Sequence, residues 1–286
     1  MKHLFIKLML ASLSLVTLAS CKKKDDLSKP ILGLGGDTWE KGPVDTWISD
    51  NLTKPFNIEV KYRWDATELQ LNKTLVPPAL EQVVPVMDAV KKAWLQTYLD
   101  VAGEVFVKQL VPKQFILVGS ANYNSDGSFT LGTAEGGRKV VLYEINKFDH
   151  KNAPVVLEML RTIHHEFGHI LHQNIMYPLE FKKITPAGYT AAWYNVSEAQ
   201  AREKGFITQY AQNNPDDDFV EMIAIMMVMG RQGFEDILAN IESPDGVAAL
   251  RKKEQLVVSY FRNAYKVDFY TLQERSEENI LKVLNN

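Results

Sequence analysis

Apolar positions recur along this chain with two periods. Within the stretch from Ala79 to Asp100 they fall at Val83, Val86, Met87, Val90, Trp94, Leu95 and Tyr98. That spacing, near 3.6, places them on one face of a helix. Pro85 lies inside the stretch, which predicts a start near that residue or a kink. Val44, Trp47, Ile48 and Leu52 predict a shorter helix over Asp45 to Leu52, broken at Pro55-Phe56-Asn57. Ile58-Glu59-Val60-Lys61-Tyr62-Arg63-Trp64 alternates apolar with charged residues, the mark of a half-buried strand. Gln114 to Gly119, Ser128 to Gly132 and Lys139 to Glu144 read as three more strands. Turn chemistry at Asn122 to Gly127 and at Gly136-Gly137 separates them. Apolar flanks at Val155-Val156-Leu157 and Ile170-Leu171 then predict a mostly buried helix. After a break at Tyr177-Pro178 and an aromatic loop holding Tyr189, Trp193 and Tyr194, Ser197 opens a capped helix that stops at Gly205. Pro215 and Asp216 to Asp218 mark the start of a helix whose continuation, Met222 to Met229, is almost wholly apolar. Phe234 to Ile241, Val247 to Val267 and Leu272 to Leu284 complete a helical C-terminal part. The expected fold is α+β, a small mixed or antiparallel sheet leading into a buried helix and a mainly helical remainder.

Composition sets bounds on this picture. The 286 residues are 46% hydrophobic with a net charge of -3, enough for a sizeable core. No basic stripe interleaved with aromatics is present, so nucleic acid is not an expected partner. The single cysteine excludes an internal disulfide framework and a cysteine-based zinc site. That cysteine has another explanation. Met1-Lys2-His3 with Lys7 is a basic start, Leu8 to Ala19 is a short apolar run, and Leu18-Ala19-Ser20-Cys21 follows. The run is too short for a membrane span and reads as a secretory signal. The small residues before Cys21 resemble a bacterial lipobox, in which Cys21 becomes the lipidated first residue and anchors the chain in a membrane. Lys22-Lys23-Lys24-Asp25-Asp26 resembles the tag that directs some Gram-negative lipoproteins to the outer face of the outer membrane. The expected organisation is a signal peptide over 1–20, a lipidated tether over 21–37 and one folded domain over 38–286.

The chemistry concentrates in the buried helix. Five of the six histidines lie between His150 and His172, and the helix carries His165-Glu166-Phe167-Gly168-His169. Residues four apart on a helix stack on one face, so His165 and His169 can converge on one metal ion. Glu166 is placed to reach a water on that ion, the arrangement of a zinc hydrolase. A buried helix rarely carries such residues unless they are paired or bind a metal. His164 should point away from the ligands. His172, seven residues after His165, falls near their face and reads as structural or as lining the cleft. A catalytic zinc takes a third protein ligand. Asp217 and Glu221 lie four apart on the next buried helix, and either could bind while the other fixes a histidine; Asp218 is a further candidate.

His165-Glu166-Phe167-Gly168-His169 together with Tyr210-x6-Asp217-x3-Glu221 resembles the lethal-factor-type and Pro-Pro-endopeptidase-type zincins. The resemblance puts Asp217 at the third-ligand position, Glu221 at the supporting position and Tyr210 at the oxyanion-stabilising position. It departs from the pattern in carrying Asp rather than Glu at 217. Taken with the lipobox, the aromatic loop and Asp218-Phe219-Val220-Glu221, the chain is more closely similar to the substrate import-associated zinc metallohydrolase lipoproteins. That resemblance implies a zincin-like metallopeptidase domain with one Zn²⁺ per chain and a peptide or protein substrate. It also implies an anchor at the outer-membrane surface and a TonB-dependent nutrient-import complex as partner. A zinc-binding accessory lipoprotein of that complex, with little hydrolytic activity, is the alternative it leaves open.

Overall fold

The computed structural model describes residues 39–65, 67–69, 72–123, 129–130, 132–135 and 139–286. The expected signal, Cys21, the tether and the Asp126-Gly127 turn lie outside the described residues. Lys41–Asn286 forms one unit. No helix among the described residues is long and apolar enough to cross a membrane.

Among the described residues the first helix, α1 (Pro43–Ile48), passes through a π turn (Ser49–Thr53) into the single turn α2 (Lys54–Phe56). Asn57, at φ 56, ends it in the left-handed region. Strand β1 (Glu59–Lys61) follows; it is shorter than the alternation from Ile58 to Trp64 predicts. The long helical stretch begins ahead of Pro85, with α3 (Leu80–Ala89), a π turn (Val90–Leu95) and α4 (Gln96–Leu110). Pro85 therefore sits in the second turn of α3. Helix continues beyond the expected end at Asp100, with a break at Gly103 (φ 85) that a glycine tolerates.

Strands β2 (Gln114–Leu117), β5 (Gly132–Glu135) and β6 (Lys139–Leu142) join β1 in a sheet of order β1-β2-β6-β5. The first three run parallel and β5 is antiparallel to β6, so the sheet is mixed. A separate antiparallel pair is formed by β3 (Asn122–Tyr123) and β4 (Phe129–Thr130). Glu68 bridges β1 and β6 over the intervening β2, accepting from Lys61 of β1 at 2.7 Å and from Lys139 of β6 at 3.3 Å.

Helix α5 (Ala153–Asn174) carries the histidines. Its N-cap is Asn152, and Pro154 stands in the first turn, where its missing N–H has no helical partner to lose. The short α6 (Glu198–Glu203) has the expected capping box, Ser197 with Gln200, and ends at Gly205 with φ 81. Helix α7 (Pro215–Ala239) absorbs the separate helix expected over Phe234 to Ile241. The two are one element with a break at Gly230 (φ 67), a residue whose missing Cβ makes that angle inexpensive. Helices α8 (Pro244–Tyr260) and α9 (Phe269–Leu284) complete the helical part, with a π turn (Phe261–Tyr265) after α8.

The core fixes α5 from behind. Phe167 is two residues from His165, about 200° around the helix, and so faces away from the imidazole. It meets Trp94 edge-on at 5.2 Å and Tyr98 at 4.9 Å. Trp94 in turn meets Phe115 of β2 at 6.1 Å, so the long helix joins sheet to histidine helix. Such aromatic pairs add about 0.5–1.5 kcal/mol each beyond their area burial. In front, α5 lies against α7 at Gly168, where a Cβ would stand 2.9 Å from Val220. The glycine between the two histidines is what lets α7 approach.

Candidate metal centre

That close approach brings two helices' polar side chains together. Nε2 of His169 lies 3.2 Å from Oδ1 of Asp217, and Nε2 of His165 lies 3.8 Å from the same oxygen. Candidate ligand atoms of these three residues all fall within 4.8 Å of one another, a cluster able to hold a metal ion. The cluster sits in a low-solvent environment, with His165 at 8% and Asp217 at 6% exposure.

The other polar atom of each residue is already engaged. Nδ1 of His165 lies 2.7 Å from Oε1 of Glu221. The second oxygen of Glu221 accepts from Arg161 at 2.7 Å and from Thr208 at 2.6 Å. Burial would raise the Glu221 carboxyl, but Arg161, His165 and Thr208 outweigh it and hold it well below the usual range. Burial acts to lower His165, yet Glu221 raises it overall. For Asp217, Oδ2 accepts from the side-chain amides of Asn213 at 2.6 Å and Asn214 at 2.7 Å. Asn214 also caps α7, its Oδ1 accepting from the N–H groups of Asp216 and Asp217. One residue thus starts the helix and orients the acid inside its first turn. The donor set fits zinc: two imidazole Nε2 atoms and one carboxylate oxygen converge, with nothing softer or harder required.

The remaining expectations sort by geometry. Glu221 contacts the far nitrogen of His165, so Asp217, not Glu221, faces both Nε2 atoms. Asp218 turns away altogether. Its Oδ2 accepts from the fully buried Lys253 of α8 at 2.6 Å and from Tyr189 at 2.9 Å, and burial pushes its carboxyl up to about 6 against the pull of Lys253. Lys253 also donates to Gly205 O at 2.7 Å, holding the segment that carries Thr208 and Tyr210. Glu166 is 7% exposed and lies near enough to His165 and Tyr210 to act on both electrostatically. Tyr210 is half-buried in a 3-10 turn, its ring 5.7 Å from His165 and 4.9 Å from Trp193. Burial and then Asp217 raise its pKa, so it keeps its proton.

His164 points away from the ligands, as expected. It is 1% exposed, with Nδ1 3.1 Å from the Tyr98 hydroxyl, and burial pushes it down to about 3. His172 is placed as a structural neighbour of a candidate ligand. It is 7% exposed, its Nε2 lies 2.9 Å from Nδ1 of His169, and burial with the neighbouring His169 pushes it down to about 4. Within the aromatic loop, Trp193 packs on Tyr210 and Tyr189 on Phe206 at 5.3 Å, while Tyr194 is exposed. Sequence reasoning missed Arg161, Thr208, Asn213, Asn214 and Lys253. Only Asn214 had a legible signal, as the N-cap before Pro215.

Comparison with known proteins accords with this centre. No curated protein matches the chain. The crystal structure of a putative zinc-binding metallo-peptidase from Bacteroides caccae is similar, with 32% sequence identity and a TM-score of 0.74. The alignment covers 88% of this chain and 97% of that one. A model of the family described as "putative zinc-binding metallo-peptidase" matches residues 37–270, which span both helices of the cluster. The chain belongs to that family of zinc-binding metallopeptidases.

Proposed function

We propose that this chain hydrolyses peptide bonds at the outer-membrane surface, with His165, His169 and Asp217 as zinc ligands and Glu166 as general base. The observation that carries the reading is the convergence of two Nε2 atoms and Asp217 Oδ1, each residue's other polar atom being engaged elsewhere. Zinc bound there would supply Lewis acidity, polarising a carbonyl and acidifying a water. Glu166 takes the proton of the attacking water and delivers it to the departing amine. Tyr210 keeps its phenolic proton and donates it as a hydrogen bond to the carbonyl oxygen while negative charge builds there. Glu221 fixes the ring of His165, and Arg161 and Thr208 fix Glu221. The lipobox at Cys21 and the Lys22 to Asp26 run support anchoring through a lipid on Cys21 at the cell surface. The family resemblance carried by these residues supports service to a TonB-dependent import complex.

The test is Glu166→Gln in the full chain. Zinc content should stay at one per chain while cleavage of a peptide library falls by about 10²–10⁴-fold. Unchanged cleavage in Glu166→Gln would remove Glu166 from the mechanism. A wild-type protein that retains an import partner and cleaves nothing would favour the accessory role. Protease digestion of the protein on intact cells tests the surface placement; digestion only after lysis would put it on the periplasmic side.

A further inference from the structure

The two histidines of the centre are held by different chemistry. His165 leans on a carboxylate, Glu221. His169 leans on another imidazole, since its Nδ1 lies 2.9 Å from Nε2 of His172. Two nitrogens at that distance share one proton, and which of them carries it decides what His169 can do. If Nε2 of His172 carried it, Nδ1 of His169 would be the acceptor. The neutral His169 ring would then bear its proton on Nε2, the atom that faces Asp217 at 3.2 Å, and could not coordinate. With the proton on Nδ1 of His169, Nε2 is bare and available.

We propose that His172 is the positioning residue for His169: its bare Nε2 accepts from His169 Nδ1–H, which fixes the tautomer and ring angle that leave His169 Nε2 free for zinc. This rests on the assignment of His169 as a ligand made above.

The surroundings make His172 a fixed acceptor. It sits three residues after His169, so the two rings share a helix face, and their centroids are 5.2 Å apart. Its other neighbour is Tyr177, edge-on at 5.5 Å. Tyr177 is buried against Phe219 at 4.2 Å and hydrogen-bonds Asp216, the residue before Asp217. The same packing that holds His172 therefore also holds the start of α7. A neutral acceptor also suits the local charge. Asp217, Glu221 and Glu166 already place three carboxylates around the centre, and Arg161 is paired with Glu221. A carboxylate at 172 would add a fourth negative charge to a buried site, at a cost in desolvation that an imidazole avoids.

The experiment uses the full chain purified in detergent, with zinc affinity measured by competition with a chelator. His172→Phe keeps an aromatic ring but removes the acceptor, and should weaken zinc binding by about 10–100-fold. His172→Gln restores an acceptor oxygen and should recover most of that loss, which a purely packing role would not produce. Affinity for His172→Phe within twofold of wild type, or no recovery in His172→Gln, overturns the proposal. Nitrogen-15 ring spectra of the wild-type chain bear on it independently of whether the variants fold. They should show His169 protonated at Nδ1 and His172 bare at Nε2; a proton on Nε2 of His172 overturns it. Loss of zinc from His165→Ala and His169→Ala with no change in His172→Phe would sink this inference and leave the ligand assignment standing. Wild-type protein that binds no zinc would sink both.

Discussion

At the scale of the residue, Asp217 and Glu221 show how two acids one helical turn apart come to differ. Asp217 lies in the first turn, where Asn213 and Asn214 hold one oxygen and leave the other toward the histidines. Glu221, one turn deeper, is 2% exposed and bound to Arg161, Thr208 and His165. The two truncations should therefore fail in different ways. Asp217→Ala should emerge from dialysis without stoichiometric zinc and with its fold intact, whereas full zinc in that variant would exclude Asp217 as a ligand. Glu221→Ala leaves Arg161 and His165 without their buried counter-ion, and a broken buried pair costs about 3–5 kcal/mol. Urea denaturation should register that loss. A stability within 1 kcal/mol (roughly the worth of an exposed pair) would show that Glu221 is not the anchor its contacts indicate.

At the scale of the element, the centre is a contact between two helices, and Gly168 sets their separation. A Cβ there would stand 2.9 Å from both Cβ and Cγ1 of Val220, closer than packed carbon atoms allow. Gly168→Ala should cost about 1–3 kcal/mol of overpacking, and should also weaken zinc binding, because the ligands come from both helices. A melting curve and a chelator titration of the same sample separate the two effects; lost stability with unaltered affinity would mean that the helices part elsewhere. The same contact explains what the amino-acid sequence discloses. His165, Glu166 and His169 are legible because helix geometry alone relates them. Asp217 and Glu221 are legible as two acids one turn apart on a buried helix, but which of them binds, and the part of Tyr210, needed a family pattern, since neither is fixed until α7 lies across α5. Arg161, Thr208 and the bond from His172 to His169 depend on that crossing or on ring orientation, and no periodicity encodes either. Strand β1 falls short of its alternating run because β2 offers partners only for Glu59 to Lys61. The separate helix expected at Phe234 merges into α7 because Gly230 permits a break without ending the element.

At the scale of the whole molecule, sheet and helices are held by a few cross-links that span long stretches of chain. Glu68 is one, bridging β1 and β6 through Lys61 and Lys139. The hydrogen bond from Lys61 leads the causes that hold its carboxyl below its ordinary value of 4.5. A depressed folded pKa contributes stability above the unfolded value, and that contribution disappears as pH falls through the folded one. Wild type should therefore exceed Glu68→Gln in urea midpoint at pH 7, and the gap should narrow as the pH is taken below 4.5. A gap that stays constant or widens in acid would show that Glu68 acts through packing rather than charge.

Lys253 and Asp218 form the other such link. Asp218 follows Asp217 by one residue, about 100° around the helix, and is gripped by an amine with no access to solvent. The grip works like a key in a shaft: α7 cannot turn about its own axis without stranding that amine. Asp217 is thereby aimed at the histidines by a contact on another side of the helix, whether or not an ion is present. The centre should thus have a memory of its metal. Stripped by a chelator, the protein should keep its amide exchange pattern through Pro215 to Glu221 and take zinc back without refolding. Exchange that spreads through this turn on removal of the ion would show that zinc, rather than Lys253, sets the aim.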